Sequence, residues 1–309
     1  MPLILPKELP AYSVLQDENI FVMTHERAVR QDIRPLEILI VNLMPDKITA
    51  ETQLARVLAN SPLQVRLTLL RTGTHESKHT PQHHMAAFYK TLDEVHKERF
   101  DGMIITGAPV EHLAYEEVDY WAEMEDLINY SRKNVYSTIY LCWAALAGLY
   151  YNHGIPKVVF KEKLHGVFEH RVLRPGNPLV RGFDETFYVP HSRLAGISHD
   201  DVLNDPALRI LADSEEAGIH LLSTENGREI YVMGHSEYDK ESLQNEYIRD
   251  TNRGLHPPLP KHYYRGDDPE QGILYRWRSH GNLLYSNWLN YYVYQSTPFD
   301  LTALENSPV

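Results

Sequence analysis

From Leu36 onward, strand-length apolar runs alternate with helical segments, and this alternation restricts the chain to few folds. Residues 36–43 read Leu-Glu-Ile-Leu-Ile-Val-Asn-Leu, nearly continuous in apolar character, as expected of a strand covered on both faces. Residues 49–60 then place Leu54, Val57 and Leu58 on one helical face, with Thr49 as the predicted N-cap and Asn60 as the stop. The pattern continues with strand 63–70, helix 85–97, strand 101–106, helix 118–131, strand 136–141 and a helix beginning at Cys142. Four strand–helix units in succession predict an α/β fold with a doubly wound, mainly parallel sheet. Ligands on such sheets bind at the carboxyl ends of strands, where Thr106-Gly107-Ala108-Pro109 and Cys142 both fall.

On either side of this block the signal weakens. Residues 1–35 are punctuated by proline and carry no sustained period, which predicts an irregular arm packed on the main domain. Beyond Lys157 the runs are shorter: strands at 158–160, 218–222 and 229–233, a helix at 240–249, a proline-rich loop at 255–264 and an amphipathic segment rich in Tyr and Trp at 283–295. The expected organisation is an arm (1–35), a single α/β domain with C-terminal elaborations (36–300) and a short tail (301–309). With 43% hydrophobic and 23% charged residues the chain has the balance of a packed globular protein.

A formal charge of −12 argues against wrapping nucleic acid or coating an anionic membrane, since both need a broad basic face. The longest apolar run, 139–151, falls short of the roughly 20 residues that span a bilayer, and the N-terminus lacks the basic start of a targeting segment. One cysteine cannot form an internal disulfide, which fits a reducing compartment and predicts a cytoplasmic protein. Any thiol chemistry therefore has a single address.

That address is favourable. Cys142 lies between the apolar strand Thr138-Ile139-Tyr140-Leu141 and the small-residue helix start Ala144-Ala145-Leu146-Ala147. A thiolate at a helix N-terminus gains from free backbone N–H groups and the positive end of the dipole. A second apolar strand, Ile230-Tyr231-Val232-Met233, runs into Gly234-His235-Ser236-Glu237. Residues two apart on an extended segment face the same way, so Glu237 can orient His235 as a base beside the thiol, the nucleophile–base–orienter logic of acyl transfer. Backbone amides of Trp143, Gly107 and Ala108 are the candidate oxyanion donors. His75-Glu76-Ser77-Lys78-His79 has the spacing of a zinc-binding helix, but Thr72-Gly73-Thr74 and Thr80-Pro81 flank it and no helical period runs through it, so no metal site is predicted. The adjacent His83-His84 is equally unspecific.

Five segments together resemble the homoserine O-acyltransferases related to class I glutamine amidotransferases: Asn42-Leu43-Met44-Pro45-Asp46-Lys47, Thr106 to Glu111, Cys142-Trp143-Ala144-Ala145, Lys163 to Phe168 and Gly234 to Tyr238. The resemblance implies a flavodoxin-like, amidotransferase-like sheet and gives Cys142, His235 and Glu237 the roles of acyl-accepting nucleophile, base and partner. It further implies that Lys163, Ser192 and Arg249 contact the amino-acid substrate; an arginine suits the carboxylate that homoserine carries. No bound cofactor is implied. The co-substrate is acyl-CoA, the product a methionine precursor, and the assembly a homodimer.

Glutamate at position 111 goes, in this family, with acetyl rather than succinyl transfer. A fixed carboxylate about 5 Å from the free carboxylate of a succinyl group costs about 3 kcal/mol at an effective dielectric near 20, or about two orders of magnitude in discrimination. The expected activity is thus homoserine O-acetyltransferase, with the succinyltransferase as the alternative. A glutamine-hydrolysing amidotransferase is disfavoured because no glycine and glutamine follow Cys142 in Trp143-Ala144-Ala145-Leu146. A non-catalytic binding protein of the same fold has no reason to keep Cys142, His235 and Glu237 together.

Overall fold

The apolar runs pair side by side as their two-faced character requires. The computed structural model describes residues 3–29, 33–74, 80–298 and 301. Its strands are β1 (Leu3–Ile4), β2 (Val22–Met23), β3 (Leu36–Val41), β4 (Val65–Leu70), β5 (Tyr89–Lys90), β6 (Phe100–Ile105), β7 (Val135–Leu141), β8 (Val158–Val172), β9 (Thr186–Gly196), β10 (Leu208–Asp213), β11 (Leu221–Thr224) and β12 (Glu229–Val232). They form one sheet in the order β2-β1-β4-β3-β6-β7-β12-β11-β10-β8-β9, with β5 beside β4. From β2 across to β12 neighbours are parallel; from β12 to β9 they are antiparallel.

Alternation within each central strand divides the core. Ile38 and Ile40 of β3 enter one apolar cluster with Leu54, Leu58, Tyr285 and Trp288, while Leu39 and Val41 enter another with Met124, Leu127, Trp143 and Leu146. The helices Lys47–Ala59 and Arg278–Asn287 therefore cover one face, and Trp121–Asn134 and Trp143–His153 the other. This is the doubly wound arrangement the sequence predicts.

Several expectations need correction. The N-terminal arm is not irregular: it carries the helix Pro10–Asp17 and adds β1 and β2 to the sheet edge through β4. These strands are two residues long, too short to leave a periodic signal. The first helix of the block starts at Lys47 rather than Thr49 and is capped by Asp46, whose carboxylate accepts from the Thr49 N–H at 3.1 Å and from its hydroxyl at 2.8 Å. The helix expected over 85–97 is broken into Gln82–Phe88 and Leu92–Val95, because Tyr89–Lys90 leaves to pair with β4 and Thr91 with Glu94 restarts the helix as a capping box. Of the long hairpin of β8 and β9 the sequence shows only the first residues, 158–160, and the helix His199–Leu203 and β10 were not read at all. The His-Glu-x-x-His segment, 75–79, lies outside the described residues, as does all of the tail except 301.

At the end of the sheet remote from Cys142, His153 closes the helix Trp143–His153 onto its neighbours. Its Nδ1 meets Asp205 at 2.7 Å and its Nε2 meets Glu229 at 3.1 Å. Burial works against charge on this imidazole, but Glu229 and Asp205 prevail and raise its pKa; Glu229 is held low in turn, against its own burial, chiefly by His153. A raised histidine contributes stability that is complete below its unfolded pKa and fades as pH rises through the folded value. His153→Gln should therefore lower the melting temperature by about 2–4 °C at pH 6, corresponding to about 2 kcal/mol, and by much less at pH 9. Calorimetry of both proteins at the two pH values checks this.

Candidate active site

Cys142 takes the sharp turn between β7 and the helix Trp143–His153 with φ 51° and ψ −114°. A residue with a Cβ is strained there, and the strain lifts the thiol out of the ladder toward the carboxyl ends of the strands. Its own N–H is spent on the carbonyl of Val232, at 2.7 Å, which ties the turn to β12. The side chain is 5% exposed. On the neighbouring strand end Gly107 comes so close that an added Cβ would lie 3.1 Å from the Cβ of Cys142 and 3.7 Å from its Sγ. A side chain at 107 would crowd the Cβ of Cys142.

Because β12 pairs directly with β7, the segment leaving β12 arrives beside the thiol. His235 donates its backbone N–H to Pro190 at 2.8 Å, and its ring Nδ1 meets the Glu237 carboxylate at 2.7 Å. The two meet across a turn rather than along an extended segment. The imidazole is hydrogen-bonded to Cys142 on its other side and lies flat against Tyr238, with centroids 4.3 Å apart. Burial disfavours the imidazolium, yet Glu237 and the Cys142 sulfur outweigh it and hold the pKa well above the usual histidine range. Glu237 is steadied by the Tyr285 hydroxyl at 3.5 Å, and Gly281 leaves room for the turn: a Cβ there would meet the Ser236 carbonyl at 2.4 Å.

The remaining predicted residues gather round this core. Glu111 is buried, 7% exposed, in the turn after Gly107. Burial raises its pKa; its own backbone N–H, the charges of His235 and Lys163, and the N–H of Leu194 act against that. Lys163 reaches Asp250 at 3.2 Å and Glu246 at 3.4 Å, and Ser192 donates a short hydrogen bond to Glu246. Arg249 is half-exposed at the edge and turned onto Asp250 at 2.8 Å. Trp143 and Ala108 flank the thiol through the backbone, Trp143 opening a helix whose first N–H groups have no internal acceptor.

The sequence reading missed Glu246, which also accepts from the Tyr238 hydroxyl at 3.0 Å. Burial alone would raise its pKa, but Lys163, Ser192 and His235 hold it below the ordinary value. The signal was present: Glu246 stands three and four residues before Arg249 and Asp250, on one helical face. Lys47 was also unsingled. It is buried, its ammonium donates to the Asn42 carbonyl at 2.5 Å, and burial draws its pKa down to about 8 against the pull of Glu51. His84 proves structural, buried against Glu51 at 2.9 Å.

Residues 2–299 match the family model described as homoserine O-succinyltransferase. The chain belongs to that family. It is 56% identical to the homoserine O-acetyltransferase of Desulfovibrio desulfuricans over 98% of this chain and 97% of the relative. It is likewise 56% identical to that of Clostridium novyi over 97% and 99%. Among solved structures it is similar to a glutamine amidotransferase from Thermotoga maritima, with a TM-score of 0.54 and 11% identity over 83% of this chain and 98% of the other. That likeness, at so low an identity, shows a shared amidotransferase-like fold.

Proposed function

We propose that this member of the family is a homoserine O-acetyltransferase working through an acyl-Cys142 intermediate. The observation that carries the reading is the buried thiol–imidazole–carboxylate line of Cys142, His235 and Glu237 with Glu111 buried in the same cleft. In the first half-reaction the Cys142 sulfur attacks the carbonyl carbon of acetyl-CoA. The oxyanion is met by the N–H groups of Trp143 and of the Gly107-Ala108 turn, the bond to the CoA sulfur breaks, and His235 returns the proton to it. In the second, His235 takes the proton of the homoserine hydroxyl, whose oxygen attacks the acyl carbon and releases Cys142.

Homoserine carries one ammonium and one carboxylate, and the pocket offers a complement to each. Glu246, acid-strengthened and held by Ser192 and Lys163, suits the ammonium; Arg249 and Lys163 suit the carboxylate. The donor is acetyl-CoA rather than succinyl-CoA because Glu111 would face the distal carboxylate of a succinyl group. Intact-mass analysis after mixing with each acyl-CoA alone tests both halves. A gain of one acetyl group is expected from acetyl-CoA, with little adduct from succinyl-CoA; preferential succinylation would overturn the donor assignment.

A further inference from the structure

Two buried segments meet beside the nucleophile at a single hydroxyl. Thr106, just past β6 and 3% exposed, accepts the Leu43 N–H on its side-chain oxygen at 2.7 Å and donates its proton to the Gly107 carbonyl at 3.3 Å. Leu43 is held firmly from behind. The fully buried side chain of Asn42 accepts from the Met44 N–H at 3.1 Å and donates to the Lys47 carbonyl at 3.1 Å and the Tyr89 hydroxyl at 2.8 Å. That hydroxyl donates to Glu51 at 2.5 Å, which also meets His84. The segment after β3 is thus a rigid abutment against which Thr106 rests.

The hydroxyl decides which way one peptide faces. Thr106 donates its backbone N–H to Val41 at 3.0 Å, toward β3, so alternation along the strand would aim the Gly107 carbonyl the other way, at β7 and Cys142. The bond to Thr106 draws that carbonyl back. The peptide is trans and planar, so its carbonyl and the Ala108 N–H point in opposite directions, and the N–H is turned toward β7. A carbonyl at that place would repel a developing oxyanion, whereas an N–H stabilises it. Ala108 is 5% exposed, and among the described residues its N–H meets no acceptor. Buried N–H groups are nearly always paired, so an unpaired one beside a nucleophile is explained by a reacting atom that it serves.

We propose that Thr106 is a positioning residue that sets the oxyanion hole, its hydroxyl holding the Gly107-Ala108 peptide with the N–H toward the thiol. The inference rests on acyl transfer through Cys142. When the sulfur attacks the acyl carbon, the carbonyl π pair moves onto oxygen. The N–H groups of Ala108 and Trp143 receive that charge until collapse expels the CoA sulfur. Valine has the shape of threonine but neither accepts nor donates, so in Thr106→Val the peptide loses its tether and the Leu43 N–H its acceptor.

Two rates at Cys142 separate this role from plain scaffolding, since both reactions report on the sole thiol of the full-length protein. Acetylation by acetyl-CoA, read by quenched intact mass, passes through an oxyanion. Alkylation by iodoacetamide displaces iodide at a saturated carbon and does not. In Thr106→Val, acetylation at saturating acetyl-CoA should slow about thirtyfold, less than the loss of a whole donor, while alkylation stays within about twofold of the parent. Thr106→Ser keeps the hydroxyl and should restore most of the acetylation rate. Unchanged acetylation in a folded Thr106→Val overturns the proposal. An equal fall in both rates also overturns it, because the hydroxyl would then support the thiol-bearing turn as a whole. Should Thr106→Val not fold, Thr106→Ala, which puts no methyl against Leu43 and Gly107, decides by the same two rates. A parent that forms no acetyl adduct overturns the covalent mechanism and this assignment with it.

Discussion

Cys142→Ala should form no acyl adduct with any acyl-CoA and should lose at least about four orders of magnitude in turnover, while melting within about 1 kcal/mol of the parent. Both residues carry a Cβ, so the backbone strain at φ 51° is the same in each; what disappears is one sulfur atom in a site that is already 5% exposed. His235→Asn should approach the same loss, and the double variant should be little worse than either alone, because nucleophile and base act as one unit. Stopped assays for acetylhomoserine together with intact mass separate the possibilities. An active Cys142→Ala would remove the covalent mechanism altogether.

The second large effect concerns the donor. Glu111→Gly should narrow the preference for acetyl-CoA over succinyl-CoA by about two orders of magnitude, mostly through faster succinyl transfer. The pH dependence has a definite sign. Burial raises the Glu111 pKa, and only the ionised carboxylate repels a succinate, so the parent's preference should weaken as pH falls through that raised value. The glycine variant should show no such trend. Measuring kcat/KM for both donors across the acid range checks it, and an equal trend in both proteins would mean that Glu111 excludes by bulk rather than charge.

How far the sequence revealed the molecule depended on how regular each piece is. The central strands are covered on both faces and therefore read as apolar blocks; β3, β6 and β7 fall within one residue or two of where those blocks lie. The hairpin of β8 and β9 did not read so. Lys161-Glu162-Lys163 interrupts β8 where its register with β9 shifts, and much of that segment is exposed, so no single period describes it. The same irregularity brings Lys163 and Ser192 to Glu246, which is why those contacts had to come from the family resemblance rather than from spacing. Cys142 was legible because a strand-to-helix junction needs only local pattern.

The placement of β12 between β7 and the antiparallel strands has a consequence for how the protein comes into being. While a ribosome is making residues 142–228, β7 has its β6 side paired and its other edge open, and that bare edge belongs to the strand that bears the thiol. Open edges of apolar strands invite pairing with other chains. Only when residues 229–232 emerge is the edge sealed, and the next residues out are His235 and Glu237. A fragment released before that point is therefore both sticky and inert, since the edge stays bare and the base is missing.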